Sequence, residues 1–433
     1  MIAPLPALLA RRLRRAAEGA RRWKLRSAGV VRGIVPEMRR TAAASRHIVI
    51  IGAGLAGLCA ALLLQQAGQR VTVLEARNRP GGRILTLRKA FADGLYADAG
   101  ACRIADVHHR TLAWIEHFGL ALEPMYPDAG RLIGERNGRS LAGTDTARLS
   151  SHDIHHILMS LVPWDAQSPE LSSARALARN SLIKPIWYRI KGGMDLLPRA
   201  LAARLDGAIR YGTAATAIQG DAHGIEVIAQ ESGAERSWRA DYVVCAVPYT
   251  TLRSIHVSPA LPLDKRRIIH EWQYVSATRV FFQLQDRGWL APHWSGYGVT
   301  PDKWEIWQPS FTSNTQRSLL VVYVQGEAAE PFVALTPESR IAKAMARLEA
   351  LFPGIRKRCE AAVQLCWDEE PWSLGAQHAG ELPLDVVIRP EGRLHFAGTH
   401  TSASGWMDGA LESAHRVSKE ILANGLTGGD QSV

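Results

Sequence analysis

The feature that most restricts the fold is the run His47-Ile48-Val49-Ile50-Ile51 followed by Gly52-Ala53-Gly54-Leu55-Ala56-Gly57. A short apolar run ending at glycine reads as a buried parallel strand. Leu55–Ala67 carries no breaker and reads as an apolar helix, and Val71–Leu74 reads as a second buried strand. Together they form a βαβ unit, whose crossover is right-handed in nearly all proteins. A lone Gly-x-Gly-x-x-Gly is weak evidence, but here a strand precedes it and a helix follows, which is the context of a dinucleotide-binding turn. Gly52 allows the tight turn, Gly54 lets the backbone approach a pyrophosphate, and Gly57 allows close helix–strand packing. The helix that opens at Leu55 and Ala56 then offers free amides and the positive end of its dipole to phosphate. Glu75 ends the second strand, roughly 20 residues on, where an acid binds ribose hydroxyls. The alternative is a glycine-rich turn in an unrelated α/β protein.

The net charge of +11 over 433 residues is uneven. Residues 1–47 hold 12 Arg and Lys against Glu18 and Glu37, leaving 40 basic and 39 acidic residues in the rest. Such a body has no broad cationic face for nucleic acid. In the basic arm, Arg11, Arg12, Arg14, Arg15, Arg21 and Arg22 alternate with Leu, Ala and Trp23, and no apolar stretch of the secretory kind follows. Three readings stay open: a disordered arm, a helix lying on a membrane surface, or a stretch ahead of the true start, with Met38 as the alternative start. No run of 18 apolar residues suggests a transmembrane helix. The five cysteines are scattered without metal-ligand spacing, so no metal is expected, and reduced thiols in a cytoplasmic protein suit the odd count.

Further along, Ile209–Ile218 and Gly224–Gln230 read as strands around a Gly220-Asp221 turn. Asp241–Val247 reads as a buried strand stopped by Pro248, Arg393–Ala397 as another, and Gly409–Leu422 as a closing helix. These pieces can rejoin the βαβ unit in one sheet. The expected organisation is α/β: a Rossmann-like dinucleotide domain from 47–105, 205–257 and 385–425, and an inserted α+β substrate-binding domain from 106–204 and 258–384. Residues 1–46 form the basic arm.

Downstream of Glu75, the segment Ala76-Arg77-Asn78-Arg79-Pro80-Gly81-Gly82-Arg83 resembles that of the flavin-dependent amine oxidase superfamily, of the monoamine-oxidase type. Phe396-Ala397-Gly398-Thr399-His400-Thr401-Ser402 and Gly405-Trp406-Met407-Asp408-Gly409-Ala410 resemble its second flavin-contacting motif. Gly192-Gly193-Met194-Asp195 and Ala240-Asp241-Tyr242 fit as well, so the resemblance spans about 47–422. It implies FAD as cofactor. It assigns Ala76, Arg77, Gly82 and Arg83 to the pyrophosphate and ribityl chain, since a guanidinium suits phosphate. Gly398, Thr399, Met407 and Ala410 go to the flavin end, and Gly100, Ala101, Cys102, Arg103 and Ala215 are placed at the cofactor too. His400 is read as a packed residue of the motif.

Asp98-Ala99-Gly100-Ala101-Cys102-Arg103-Ile104 bears on the substrate. The resemblance is closest to L-amino-acid oxidases, where an arginine at the place of Arg103 pairs with the substrate carboxylate. A carboxylate entering an apolar pocket needs a fixed cation. The alternative is that Arg103 pairs with a structural acid or with phosphate. Trp406 stands where the superfamily builds one wall of an aromatic cage, and the Gly405 carbonyl beside it orients the amine. Two departures stand out. Ala376 and Gln377 occupy the places of the covalent cysteine and second cage tyrosine of monoamine oxidases, which implies noncovalent FAD. Arg279 replaces a lysine that holds a water near the flavin in many members, and it cannot act as a base. Trp304, Trp307 and Phe311 line an aromatic pocket or belong to the core. The implied reaction converts an L-α-amino acid to an imino acid, then by hydrolysis to a 2-oxo acid and ammonia, with hydrogen peroxide formed from oxygen. The alternative is oxidation or dehydrogenation of an amine without a carboxylate. The partners implied are this small molecule and oxygen; a homodimer is left open.

Overall fold

The computed structural model describes residues 45–126, 131–136, 139–142, 186–205, 207–221, 223–289, 294–300, 302–378, 380 and 383–423. The expectations for the basic arm up to residue 44 lie outside these. At the described start, Arg46 donates from its backbone N to Gln69 Oε1 (3.0 Å) and from Nη1 to the Ile421 carbonyl (3.3 Å).

Strand β1 (His47–Ile51), helix α1 (Leu55–Gln66) and strand β2 (Arg70–Glu75) form the expected βαβ unit. The sheet around them has five parallel strands in the order 209–211, β2, β1, 242–245, 394–396. The continuous apolar run of β1 has a physical reason. Ile48 and Ile50 face one hydrophobic cluster, built with α1, while Val49 and Ile51 face another. Both faces are dry, so no alternation with polar residues is needed. The cluster on the α1 side also takes in Leu112, Trp114 and Ile115 of the helix His109–His117, Leu197 and Leu201 of the helix Leu196–Ala203, and Leu411, Ala414 and Val417 of the closing helix Met407–Ala423. The dinucleotide sheet thus shares its core with segments on either side of residues 127–185.

One expected strand is two. The run from Ile209 breaks at Gly212, whose φ of +65° is left-handed. Ile209–Tyr211 pairs with β2 in the parallel sheet. Thr213–Gly220 turns away into a four-stranded sheet with Ile225–Glu231, Ala234–Ala240 and His256–Ser258.

A seven-stranded sheet is assembled from 359–366, 277–284, 318–325, 305–307, 294–299, 131–136 and 139–142, in that order. Every residue of Ala277–Leu284 is buried, Val280 and Phe282 toward one cluster and Phe281 toward the other. The helix Pro337–Leu351 covers one face through Ala344, Met345 and Leu348, and its first turn is capped by Thr336, whose Oγ1 accepts from Ser339 N (3.3 Å). No helix of the described residues is long and apolar enough to cross a membrane.

Candidate active site

The carboxyl ends of the parallel strands open on one cleft, as open α/β sheets arrange their ligands. Gly52 follows β1, Glu75 ends β2, Ala246 and Val247 follow the strand at 242–245, and Gly398 follows the strand at 394–396; all five line it. Of the site residues expected from sequence, every one except Gly57 lines this same cleft. Gly57 sits behind it, where a Cβ would come within 2.0 Å of the Gly52 carbonyl oxygen, so it holds α1 against the turn. Gly54 is the opposite case: a Cβ there would meet nothing within 4 Å, and the backbone faces open space.

Three features test whether the cleft fits a flavin dinucleotide. The first-turn amides of α1 have no intrahelical acceptors, and Leu55 and Ala56 line the cleft. Glu75, 4% exposed, accepts from Ala53 N (2.7 Å) and Arg77 N (2.9 Å), which fixes its carboxylate at the cleft wall. Burial pushes its pKa up, against the pull of those two amides. Arg83 donates to the Ala376 carbonyl (2.9 Å) and lies 5.7 Å from the Tyr274 ring, and no carboxylate among the described residues pairs with it. Burial lowers its pKa. A half-buried cation without an acid among the described residues, in a cleft that the start of α1 also lines, fits a pyrophosphate.

Arg77 lines the cleft but is already engaged. Its guanidinium is engaged by Glu370 Oε2 (3.2 Å), Ser373 Oγ (3.0 Å) and the Trp372 carbonyl (3.4 Å). Glu370 compensates its charge, so the uncompensated cation of the pair is Arg83 alone. His400 is packed: 1% exposed, its ring is 4.4 Å from that of Tyr249, and burial with Arg83 nearby holds its pKa far below the usual value.

The wall around Trp406 is aromatic. Its ring lies 5.3 Å from His108 and 5.5 Å from Trp187, both tilted at 45°. Burial pushes the pKa of His108 down to about 4, so this ring is neutral at pH 7. Trp406 N is held by Ser404 Oγ (3.3 Å), and Asp408, one residue into the closing helix, accepts from Thr111 N (2.9 Å).

The end of the cleft at Arg103 departs from expectation. Arg103, 6% exposed, forms an ion pair through Nη2 with Glu305, itself 2% exposed. Burial disfavours the guanidinium charge, and the adjacent Glu305 more than offsets this, holding the pKa above its ordinary value. The expected free cation therefore already has an acid. Arg103 lines the cleft, and Glu305 stands behind it. Arg279 donates Nη1 to the carbonyls of Asp98 (2.7 Å) and Gly100 (2.5 Å) and Nη2 to Cys102 Sγ (3.4 Å), clamping the loop that carries Arg103. Of the three aromatic candidates, Trp304 packs on Phe332 in the core (4.9 Å), Trp307 lies against both arginines, and Phe311 covers Arg189.

Glu305, Tyr323 and Trp367 escaped the sequence reading. Tyr323 and Trp367 line the cleft from strands or turns of the seven-stranded sheet. Glu305 had a readable signal, an acid set inside Trp304-Glu305-Ile306-Trp307, where a charge among large apolar residues needs a partner.

Comparison with known proteins gives the family. The model of the flavin-containing amine oxidoreductases matches residues 55–172 and 170–422, and the chain belongs to this family. It is an oxidoreductase that uses FAD. It is 27% identical over 467 residues to the flavin-dependent L-tryptophan oxidase RebO of Lentzea aerocolonigenes, covering 87% of this chain and 98% of that one. It is 27% identical over 464 residues to an L-amino-acid oxidase of Siganus canaliculatus, covering 88% and 86%. Among solved structures it is similar in fold to cyclohexylamine oxidase from Brevibacterium oxydans IH-35A, with a TM-score of 0.71 at 20% identity over 88% of this chain and 100% of that one.

Proposed function

We propose that the chain oxidises the α-amine of an L-amino acid, giving an imino acid that hydrolyses to a 2-oxo acid and ammonia, with hydrogen peroxide formed from oxygen. The observation that carries this reading is the pair of buried arginines, Arg103 and Arg279, lining one end of the cleft, which Trp406, Tyr323 and Trp367 also line. A carboxylate is the substrate group that such a cationic end accommodates. Relatives matched over most of the chain are named as an L-tryptophan oxidase and an L-amino-acid oxidase, which supports the same class.

In this reading the amides of Leu55 and Ala56 and the Arg83 guanidinium would hold the pyrophosphate of FAD, and Glu75 would accept from the ribose hydroxyls. Thr399, Met407 and Ala410, which line the cleft, would receive the ring end. Bound FAD supplies the two-electron acceptance that turns amine into imine, and oxygen restores it. The protein supplies position and electrostatics. Arg103, oriented by Glu305 and by Trp307 at 5.5 Å, fixes the carboxylate. Trp406 and the Gly405 carbonyl orient the amine. The packed wall of Trp406, Trp187 and His108 keeps water from that side. Arg279 cannot take a proton, so the amine is oxidised as its neutral form. Ala376 offers no thiol, so the cofactor is held noncovalently.

One observation favours the second reading, an amine without a carboxylate: Glu305 already neutralises Arg103. Peroxide production from a panel of L-amino acids and simple amines separates the two. Turnover confined to amines would sink the first.

A further inference from the structure

Two guanidiniums lie against a single ring at the end of the cleft, and one of them is paired with a carboxylate. Arg103 lies 5.5 Å and Arg279 5.4 Å from the centroid of Trp307, and Arg279 also stacks at 4.4 Å on Tyr323. All three charged residues are at least nine-tenths buried: Arg103 is 6%, Arg279 5% and Glu305 2% exposed. Glu305 pairs with Arg103. Arg279 has only neutral acceptors, the carbonyls of Asp98 and Gly100 and the Cys102 sulfur, and no carboxylate among the described residues forms an ion pair with it. The Asp98 carboxyl is turned to other donors, Thr86 Oγ1 (2.6 Å) and Met194 N (3.0 Å). The Nε atoms of both arginines are buried and without a hydrogen-bond partner. Both arginines line the cleft.

We infer that Glu305 and Arg279 together set the preference of this cleft for a carboxylate. Glu305 cancels the charge of Arg103, leaving it as a hydrogen-bonding fork. Arg279, which has no carboxylate among its hydrogen-bond partners and feels the Asp98 carboxyl only through space, supplies the positive charge that draws an anionic group to the fork. Arg279 is then a specificity-determining residue, and Glu305 is the residue that keeps the site at one net positive charge instead of two. The preferred ligand class is a monocarboxylate carried on an apolar body. The inference rests on the proposed amino-acid substrate, but the charge of the site can be read without turnover.

The test uses the FAD-loaded enzyme and follows the flavin absorbance while benzoate, or benzamide as its neutral counterpart, is titrated. Glu305→Gln keeps an acceptor for Arg103 and removes one negative charge. It should tighten benzoate about tenfold, the order expected for one charge acting through a partly screened protein interior, and leave benzamide unchanged. Arg279→Met should weaken benzoate at least tenfold, and Arg279→Lys should restore most of that loss. If Glu305→Gln leaves benzoate binding the same or weaker, or shifts both probes in parallel, the inference falls. Should Glu305→Gln fail to fold, an unchanged benzoate affinity in Arg279→Met overturns it equally. A wild-type enzyme that shows this benzoate pattern but oxidises no L-amino acid would uphold the anion site while refuting the proposed substrate.

Discussion

Arg103 and Glu305 form an ion pair with side chains only 6% and 3% exposed, and only Arg103 of the two lines the cleft. This ties the substrate question to stability. Arg103→Met leaves the Glu305 carboxylate buried without its partner, which costs about 3–5 kcal/mol. The variant should melt well below the wild type. Arg103→Met combined with Glu305→Gln should recover much of the loss, because no buried charge is stranded. Neither should recover activity on L-amino acids, where kcat/KM falls roughly 100-fold. Thermal melts and steady-state kinetics on the three proteins check this. A double variant that regains amino-acid turnover along with stability would show that Arg103 acts only as a structural ion.

Gly54 and Gly57 should fail differently. Gly57→Ala drives a Cβ to 2.0 Å from the Gly52 oxygen, so α1 must move off the turn. The apoprotein should lose several degrees of Tm or not fold. Gly54→Ala meets nothing within 4 Å and should leave the apoprotein melting unchanged while weakening FAD at least tenfold, because the methyl occupies the space a phosphate would take. Apoprotein Tm and FAD titration separate the two. Equal loss of fold in both would contradict the assignment.

The dinucleotide half was readable because its constraints are local. The strand, turn and helix from His47 to Gln66, and the acid at Glu75, are each fixed by neighbours a few residues away. The break at Gly212 was not readable, since a glycine within an apolar run also suits a strand. The substrate end was only half readable. Arg103 and Arg279 could be picked out one at a time, but Glu305, the partner of Arg103, is 202 residues from it, and only folding brings it there. A still longer separation, 293 residues, hid Glu370, the partner of Arg77.

Acid should weaken the fold through His108, which is buried, and the half-buried His378 and His415. Burial lowers the pKa of His108, His378 and His415 to about 4, from 6.5. At pH between those values the unfolded chain binds more protons than the native one, so stability falls as pH drops from about 6.5 to 4 and is fully present above 6.5. His108 is opposed in this by Asp408, which favours its charge, and assisted by His109. His108→Gln retains an acceptor for Ala105 N and should reduce the slope of unfolding free energy against pH by up to one proton in that window. Denaturant melts of the holoprotein at several pH values measure it. An unchanged slope would mean that His108 is already protonated in the native state or stays neutral in both.

The cofactor should leave with denaturation. Ala376 lines the cleft and offers no nucleophile for a flavin linkage. After acid precipitation the supernatant should carry all the flavin as free FAD. Yellow colour retained by the washed precipitate would contradict this.

The most direct test of the central claim, that this cleft recognises an amine carrying a carboxylate, is anaerobic reduction of the bound flavin by matched pairs. Each pair consists of an L-amino acid and the amine left when its carboxyl is removed, mixed in a stopped-flow instrument with wild-type enzyme. The account predicts that for the best pair the amino acid bleaches the flavin at least 100-fold more efficiently, and that Arg103→Met erases most of this ratio by slowing the amino acid and not the amine. Equal bleaching by both members of every pair, or faster bleaching by the amines, would contradict it.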